Sequence, residues 1–257
     1  IELNVREDLS LPSLFHPQRT YTAATDAGIK QLADDAGAAG CRIAAFCMSN
    51  RFDDRPEEEV AWCGKLARAA QKLGVPAIRI DVVPRKLPAA KFLDFAVDEM
   101  KKVMAATEST GVGFGIENHG RTTNDPEFLR PLFERVGAKR LGLTLDIGNF
   151  YWFGHPLSKI YELCRTFAPR VIHTHCKSIR FPAEKRETQR AIGWEYGKYN
   201  CPIDQGDIDY GRVIGILHQA GYGNDLCIEN ESLGKFAAGR RAEVLAGEVR
   251  YLKDRLK

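Results

Sequence analysis

Several features that would assign this chain to a common functional class are missing from its sequence. No apolar run approaches the roughly 18 residues that a membrane-spanning helix requires, and no signal-peptide pattern opens the chain. The charged residues are mixed in sign and the formal net charge is only +3, so no basic stripe suited to a phosphate backbone stands out. We therefore expect a soluble, cytoplasmic protein that binds neither membrane nor nucleic acid.

The cysteines give no sign of a disulfide framework. The chain has seven of them, an odd number, and none forms a CxxC pair. Most lie inside apolar runs, which is typical of buried thiols in a reducing compartment. We expect free cysteines, and no disulfide-stabilised secreted fold.

The sequence also lacks a GxGxxG motif after a predicted strand, which argues against an open dinucleotide-binding sheet. It has instead an alternation of strand and helix patterns along its whole length. Such alternation predicts a parallel sheet with crossover helices, either an open doubly wound sheet or a closed (β/α)8 barrel. A chain of 257 residues with 44% hydrophobic content suits one barrel domain spanning residues 1–257.

The periodicity of apolar residues places seven strands and seven helices. The predicted strands are 1–5, 41–48, 75–81, a strand ending at residue 117, 140–146, 171–176 and 225–230. The predicted helices are 22–40, 54–74, 88–109, 125–136, 156–167, 208–220 and 240–256. The segment 178–206 is poorly periodic and too long for an ordinary connection, which predicts a pocket-covering loop.

Four of the predicted strands end in side chains that bind metals, at residues 115–119, 143–146, 171–175 and 226–229. Polar residues at the carboxyl ends of many strands favour a closed barrel, whose catalytic face lies there. Because side chains alternate along a strand, Glu117 shares a face with His119, and His173 shares one with His175. If the strands are parallel neighbours, these side chains converge.

A set of two glutamates, one aspartate and one histidine makes an open site for Mn, Mg, Co or Zn. Any one strand-end carboxylate could instead cap a helix or pair with an arginine. Four independent structural roles of this kind are less expected than one shared metal site. Two positions have competitors. His173 faces inward as His175 does, but His175 lies closer to the rim, and Glu231 competes with Glu229 but lies beyond the apolar run.

The combined motifs resemble a known group. They are Glu117-Asn-His119, Asp146-Ile-Gly-Asn149, His173-Thr-His-Cys-Lys177 and Gly221-Tyr-Gly followed by Cys-Ile-Glu229. Together they resemble the sugar phosphate isomerase/epimerase-like proteins of the xylose-isomerase-like barrel superfamily, over about residues 1–230. The opening Ile-Glu-Leu resembles the second strand of that family, which implies a (β/α)8 barrel lacking, or truncated at, its first strand-helix unit.

The resemblance implies a divalent metal held by Glu117, Asp146, His175 and Glu229. It also implies that the two glutamates are the acid and base that move a proton beside a carbonyl. The expected function is a metal-dependent isomerase or epimerase of a sugar, a sugar phosphate or a sugar-like polyol, working through an enediolate. The candidate substrate-binding residues are His119, Asn149, His173, Lys177 and Arg180. The sequence leaves open whether the chain forms a homo-oligomer.

Asn149 departs from the family, because many of its epimerases carry a histidine at this position. Asparagine orients a hydroxyl but does not shuttle a proton at neutral pH. A lyase or dehydratase using the same enolisation, or a non-catalytic sugar-binding barrel, therefore remains an alternative. DNA cleavage of the endonuclease IV type is disfavoured, since His16, His155 and His218 do not lie at predicted strand ends.

Two further groups are candidates for substrate contacts. The segment 178–206 contains Trp194, Tyr196 and Tyr199, which could stack on a sugar ring. Arg79 and Asp81 end another predicted strand on one face.

Overall fold

The computed structural model describes residues 1–16 and 18–257. Pro17, in the loop predicted after the first strand, lies outside the described residues. The chain divides into two compact units, of which the first comprises residues 1–117 and 127–143 and the second residues 118–126 and 144–257. We describe each unit by itself.

The first unit is built from parallel strands with helices between them. β1 pairs in parallel with β4, β4 with β5, and β5 with β6, while β2 and β3 form a short antiparallel pair. The elements in chain order are β1 (Glu2–Asn4), β2 (Ser10–Leu11), β3 (Tyr21–Thr22), α1 (Asp26–Ala38), β4 (Ala45–Cys47), α2 (Pro56–Leu73), β5 (Ala77–Ile80), α3 (Ala89–Ala106), β6 (Gly113–Glu117), α4 (Pro126–Val136) and the first half of β7 (Leu141–Asp146).

Helix α2 shows how the local sequence sets these boundaries. Pro56 stands at its first position, where no backbone N–H is needed, and three glutamates follow in the first turn. Gly74 ends the helix in the left-handed conformation with φ of 66°, which a residue with a side chain rarely adopts. β5 and β6 are buried throughout, as is typical of the strands of a parallel sheet, both faces of which are covered.

The second unit comprises residues 118–126 and, from Thr144 within β7, the rest of the chain. β8 and β11 pair in parallel, with Cys227 opposite His175, and β9 pairs with β10 in antiparallel fashion. Its remaining elements are α5 (Ile147–Trp152), α6 (Leu157–Phe167), β8 (Val171–Cys176), β9 (Ser178–Ile179), α7 (Ala183–Arg186), α8 (Tyr196–Tyr199), β10 (Asn200–Cys201), α9 (Tyr210–Gln219), β11 (Cys227–Ile228) and α10 (Arg241–Arg255).

All seven predicted strands and all seven predicted helices are present, most with shorter bounds than the sequence patterns indicate. The short pairs β2–β3 and β9–β10 and the six-residue α5 were not predicted, because elements of this length carry too little periodicity. All seven cysteines are free, as expected. In the described part of the chain, no helix combines the length and the apolar character needed to cross a membrane.

The segment 178–206 is folded around one guanidinium group. Arg190 lies 4.6 Å from the ring centre of Tyr151 and 4.4 Å from that of Phe181. Its N–H groups donate to five backbone carbonyls, including those of His155 at 2.7 Å and Thr188 at 2.9 Å. Trp194 and Tyr199 stack on each other at 5.6 Å. The segment is therefore a packed structure, held by a buried cation.

We expect Arg190→Met to loosen this segment. The change removes the cation and leaves several carbonyl groups without their donor, which should lower the free energy of unfolding by about 2 kcal/mol. Denaturant unfolding and limited proteolysis between residues 183 and 199 measure the effect. Arg180→Met, at an exposed side chain of the same segment, is the control. Equal protease resistance of the two variants would contradict the assignment.

Candidate metal centre

Asp146 is placed by the change from strand to helix at the end of β7. It is fully buried, and its Oδ1 accepts a hydrogen bond of 2.8 Å from the backbone N–H of Asn149, which caps α5. The capping bond fixes the side-chain rotamer. Oδ2 is thereby directed towards His175 on β8 and towards Lys177, the residue directly after β8, whose Nζ lies 3.0 Å away.

Asn118 holds the backbone of Asp146 from the other side. Its Oδ1 accepts from the N–H of Asp146 at 2.8 Å, and its Nδ2 donates to the carbonyl of Asp146 at 2.7 Å. Nδ2 also donates to Oδ1 of Asn124 at 3.0 Å. Sequence reasoning assigned no role to Asn118. The only indication in the sequence was its position between Glu117, a predicted metal ligand, and His119, a predicted substrate contact.

The pairing of β8 with β11 brings His175 and Glu229 together. The backbone N–H of Glu229 donates to the carbonyl of Cys176 at 3.0 Å, which continues the parallel ladder by one residue. His175 Nδ1 then lies 3.6 Å from Oε2 of Glu229 and 4.0 Å from Oδ2 of Asp146. Three of the four predicted ligands therefore converge within the second unit.

These donor atoms suit a divalent cation. Two ligand atoms bound tetrahedrally at ~2.1 Å from a metal stand roughly 3.4 Å apart. The separations of His175 Nδ1 from Glu229 and Asp146, 3.6 and 4.0 Å, need only a small adjustment to match this distance. One imidazole nitrogen with two carboxylate oxygens is also a donor set that Zn, Mn and Co accept. The residues present therefore fit the metal that the strand-end motifs implied.

The ammonium group of Lys177 places a positive charge among these carboxylates. Its ammonium lies 2.9 Å from Oε2 of Glu229, 3.0 Å from Oδ2 of Asp146 and 2.8 Å from Oε1 of Glu231. The residue is only 6% exposed. Burial alone would lower the pKa of Lys177, but the carboxylates of Asp146, Glu229 and Glu231 outweigh it and raise that pKa above its usual value. Lys177 is thus held as a cation.

Glu231 connects this group to the segment 178–206. Its Oε2 accepts a hydrogen bond of 2.6 Å from the hydroxyl of Tyr196. Burial and this bond to a carboxylate raise the pKa of Tyr196, so the phenol stays protonated and donates. Glu231 is therefore part of the ion cluster, although the sequence reading preferred Glu229 as the ligand at this strand end.

His173 lies deeper on β8 and makes a separate pair. Its Nδ1 lies 2.9 Å from Oδ1 and 2.8 Å from Oδ2 of Asp225. Asp225 is fixed in turn through its carbonyl, which accepts from Thr174 Oγ1 at 3.0 Å and from the hydroxyl of Tyr222 at 2.9 Å. The sequence patterns did not mark Asp225, because it stands at the beginning of the predicted strand 225–230 and not at its carboxyl end; in the structure it lies in the loop before β11.

Glu117 lies at the end of β6 in the first unit. Arg79 holds its Oε2 through Nε, at 2.6 Å, and through Nη2. Nη1 of the same guanidinium donates to the carbonyl of Met48 at 2.9 Å and pairs with Asp81 at 3.0 Å. Arg79 and Asp81, predicted as possible substrate contacts, therefore form a buried network that orients the Glu117 carboxylate.

The other predicted substrate-binding residues differ in exposure. The side chain of Asn149 is 5% exposed, whereas the side chains of His119 and Arg180 are exposed. The backbone of His119 is fixed by Thr123, whose Oγ1 accepts from its N–H at 2.8 Å.

The three histidines outside the motifs have other surroundings. His16 lies 3.7 Å from Asp35, His155 packs against Phe153, and His218 is in the last turn of α9.

A model of the xylose isomerase-like TIM barrel family matches residues 2–255. The chain belongs to the xylose isomerase-like TIM barrel family. This membership confirms the barrel fold and the superfamily that the strand-end motifs resemble. It also accounts for the regular alternation of strands and helices in each unit.

Three relatives and solved structures illustrate how far the likeness extends. The Methanocaldococcus jannaschii protein MJ1311 is 24% identical over 148 residues, which are 56% of this chain and 45% of that protein. The chain spans less than half the length of the curated relatives it matches. A structure of IOLI protein with a bound zinc atom has a TM-score of 0.68, 18% identity, and coverage of 88% of this chain and 82% of that one. The 3-keto-D-glucoside 4-epimerase YcjR from E. coli has a TM-score of 0.65, 11% identity, and coverage of 89% and 85%.

Gly148 allows Lys177 to reach its position, and its replacement is a test of the cluster. A Cβ at this residue would lie 2.4 Å from Cγ and 2.9 Å from the carbonyl oxygen of Lys177. We expect Gly148→Ala to displace Lys177 and to lower the free energy of unfolding by about 2 kcal/mol, as overpacked sites do. Denaturant titration measures the loss.

Gly215 provides the matched control for this glycine. It also lies in a helix, α9, but a Cβ there would meet nothing within 4 Å. Gly215→Ala should therefore leave the stability unchanged or raise it by about 0.5–1 kcal/mol, since alanine favours a helix. Equal stability of the two variants would show that Gly148 is not required for close packing.

Proposed function

We propose that this protein is a divalent-metal-dependent isomerase or epimerase of a sugar or sugar-like polyol, which moves a proton on the carbon beside a carbonyl. The observation that carries the proposal is the convergence of His175 Nδ1, Asp146 Oδ2 and Glu229 Oε2 in the second unit. Membership of the xylose isomerase-like family and the fold shared with a keto-glucoside epimerase support it.

Asp146, His175 and Glu229 are the proposed ligands that these contacts support directly, and Glu117 is the fourth ligand that the family motif implies. When bound, a divalent cation such as Mn, Mg, Co or Zn supplies Lewis acidity at a substrate oxygen. The protein contributes the orientation of the ligands. Asp146 is fixed by its cap and by Asn118, and Glu117 is fixed by Arg79.

Glu117 and Glu229 are the proposed acid and base. Glu229 suits a group that exchanges protons with a substrate, because its side chain is 39% exposed while those of Asp146 and His175 are almost completely buried. Asn149 sits one turn into α5 from Asp146, where its amide would orient a substrate hydroxyl and would not carry a proton. Lys177, His119, His173 and Arg180 remain proposed substrate contacts.

A lyase or dehydratase is the second candidate, and Asn149 is the residue that favours it. Proton removal beside a carbonyl can be followed by loss of a β-hydroxyl group in place of reprotonation on the opposite face. A protein without a further proton carrier at position 149, beside Glu117 and Glu229, is compatible with that outcome. The two candidates share their metal ligands and their first step.

Metal binding gives the first test. We expect the chelator-treated protein to bind about one equivalent of Mn²⁺ or Zn²⁺, and Asp146→Asn to weaken that binding by about 100-fold, because a ligand anion is lost. Calorimetric titration and elemental analysis measure it. Asp209→Asn, at a helix cap of α9, is the control, since this carboxylate also accepts backbone N–H groups but lies outside the cluster. Equal affinity of the two variants would reject Asp146 as a ligand.

Exchange of solvent deuterium tests the chemistry. With metal bound, the protein should incorporate deuterium beside the carbonyl of an accepted ketose, and Glu117→Gln and Glu229→Gln should each reduce that rate by a factor of about 10² or more. Exchange with an epimeric or isomeric sugar as product supports the isomerase. A dehydrated product identifies the lyase. Absence of exchange across a panel of ketoses and keto-sugars, with metal bound, would indicate a binding protein.

A further inference from the structure

We propose that Lys177 is an internal competitor of the metal, whose ammonium group exchanges between two positions and so sets the affinity of the site for divalent cations. In the position observed it pairs with Asp146, Glu229 and Glu231 together, and in the other it keeps only Glu231 while the cation takes the other two carboxylates. The inference rests on the proposed function, since it assumes that Asp146, His175 and Glu229 bind a metal.

The ammonium and a cation require the same two atoms. Oδ2 of Asp146 and Oε2 of Glu229 both contact Lys177 Nζ, at 3.0 and 2.9 Å, and the same two atoms face His175 Nδ1. Oδ1 of Asp146 already accepts the capping bond from Asn149, so Oδ2 is the oxygen that both cations approach. A divalent ion at bonding distance from these oxygens would lie within a few ångströms of Nζ, and the two cations would repel each other because Asp146 and Lys177 are buried.

Glu231 provides the second position for the ammonium. Its Oε1 lies 2.8 Å from Lys177 Nζ, and its Oε2 is held by the hydroxyl of Tyr196 at 2.6 Å. The charges also balance. Within the second unit, the carboxylates of Asp146, Glu229 and Glu231 carry three negative charges, which one ammonium and one divalent cation neutralise together, while Glu117 of the first unit is paired with Arg79. Lys177 can therefore remain in the protein beside a bound metal, provided that it moves to Glu231.

The movement is confined to the end of the side chain. The carbonyl of Lys177 accepts a bond of 2.8 Å from the buried hydroxyl of Tyr210, and Gly148 packs closely against its Cγ. The backbone and the first part of the stem are thus fixed. Rotation about the last bonds alone can carry Nζ from one carboxylate to another, so metal affinity depends on how strongly each position holds it.

Lys177→Met tests the competition directly. Methionine keeps the length and apolar volume of the lysine side chain but removes the charge. The metal can then bind Asp146 and Glu229 without displacing an ammonium group. We expect the protein to bind Mn²⁺ and Zn²⁺ about tenfold more tightly, because the binding-competent fraction rises. Calorimetric titration of the chelator-treated protein at fixed pH measures the change. Lys198→Met, at an exposed lysine of the segment 178–206, should leave the affinity unchanged.

Glu231→Gln should act in the opposite direction. It weakens the second position, so the ammonium stays on Asp146 and Glu229 and the metal binds several-fold more weakly. A purely structural role of either residue would not produce shifts of opposite sign. The same variant carries the test if Lys177→Met does not fold, because glutamine still accepts the hydrogen bond from Tyr196.

The outcomes separate this inference from the proposed function. If the unmodified protein binds metal but Lys177→Met binds it equally or more weakly, or Glu231→Gln binds it more tightly, the competition is overturned and the metal site stands. If the unmodified protein binds neither Mn²⁺ nor Zn²⁺, the proposed function fails and the inference fails with it. Tighter binding by Lys177→Met with weaker binding by Glu231→Gln supports both.

Discussion

The second unit depends on the neutralisation of one buried ammonium group. A lysine that is only 6% exposed is tolerated because three carboxylates lie within 3.0 Å of its nitrogen. Each carboxylate comes from a different part of the chain, at the end of β7, directly after β11 and in the turn that follows. The ladder between β8 and β11, the cap of α5 and the hydroxyl of Tyr196 all position these partners. Loss of any of them leaves an uncompensated charge in a buried place.

The same arrangement is compatible with both a stable fold and the proposed metal site. Several carboxylates gathered in a buried place repel one another unless a cation lies among them. An internal lysine provides that cation permanently, whereas a metal provides it only when bound. A protein that uses both cations keeps the arrangement of its carboxylates with or without metal. Its metal affinity then reflects the difference in free energy between the metal-bound state and the state in which the lysine pairs with those carboxylates. The segment 178–206 contributes to this charge balance through Tyr196, whose hydroxyl donates a hydrogen bond to Glu231.

The sequence allowed much of the fold to be predicted and less of the site. Buried strands such as β6 and β8 and amphipathic helices such as α6 follow from local periodicity, which tertiary contacts reinforce. Helix α5 escaped prediction because six residues contain less than two turns, and it is defined by the cap that Asp146 makes. His173 was predicted as a substrate contact from its face on the strand. Its bond to Asp225 depends on a residue 52 positions away, in a loop that no local pattern connects to β8.

What the sequence determined by itself is the alternation of strands and helices, the family, and the ends of strands at which carboxylate and imidazole groups appear. These follow from spacing along the chain, since side chains alternate in strands and recur every three to four residues in helices. Only the tertiary structure decided which groups pair. It assigned Lys177 to three carboxylates, Asn118 to the backbone of Asp146, and Arg79 to Glu117. The physical reason is that an ion pair or hydrogen bond forms over a few ångströms in space, and distance along the chain does not specify it.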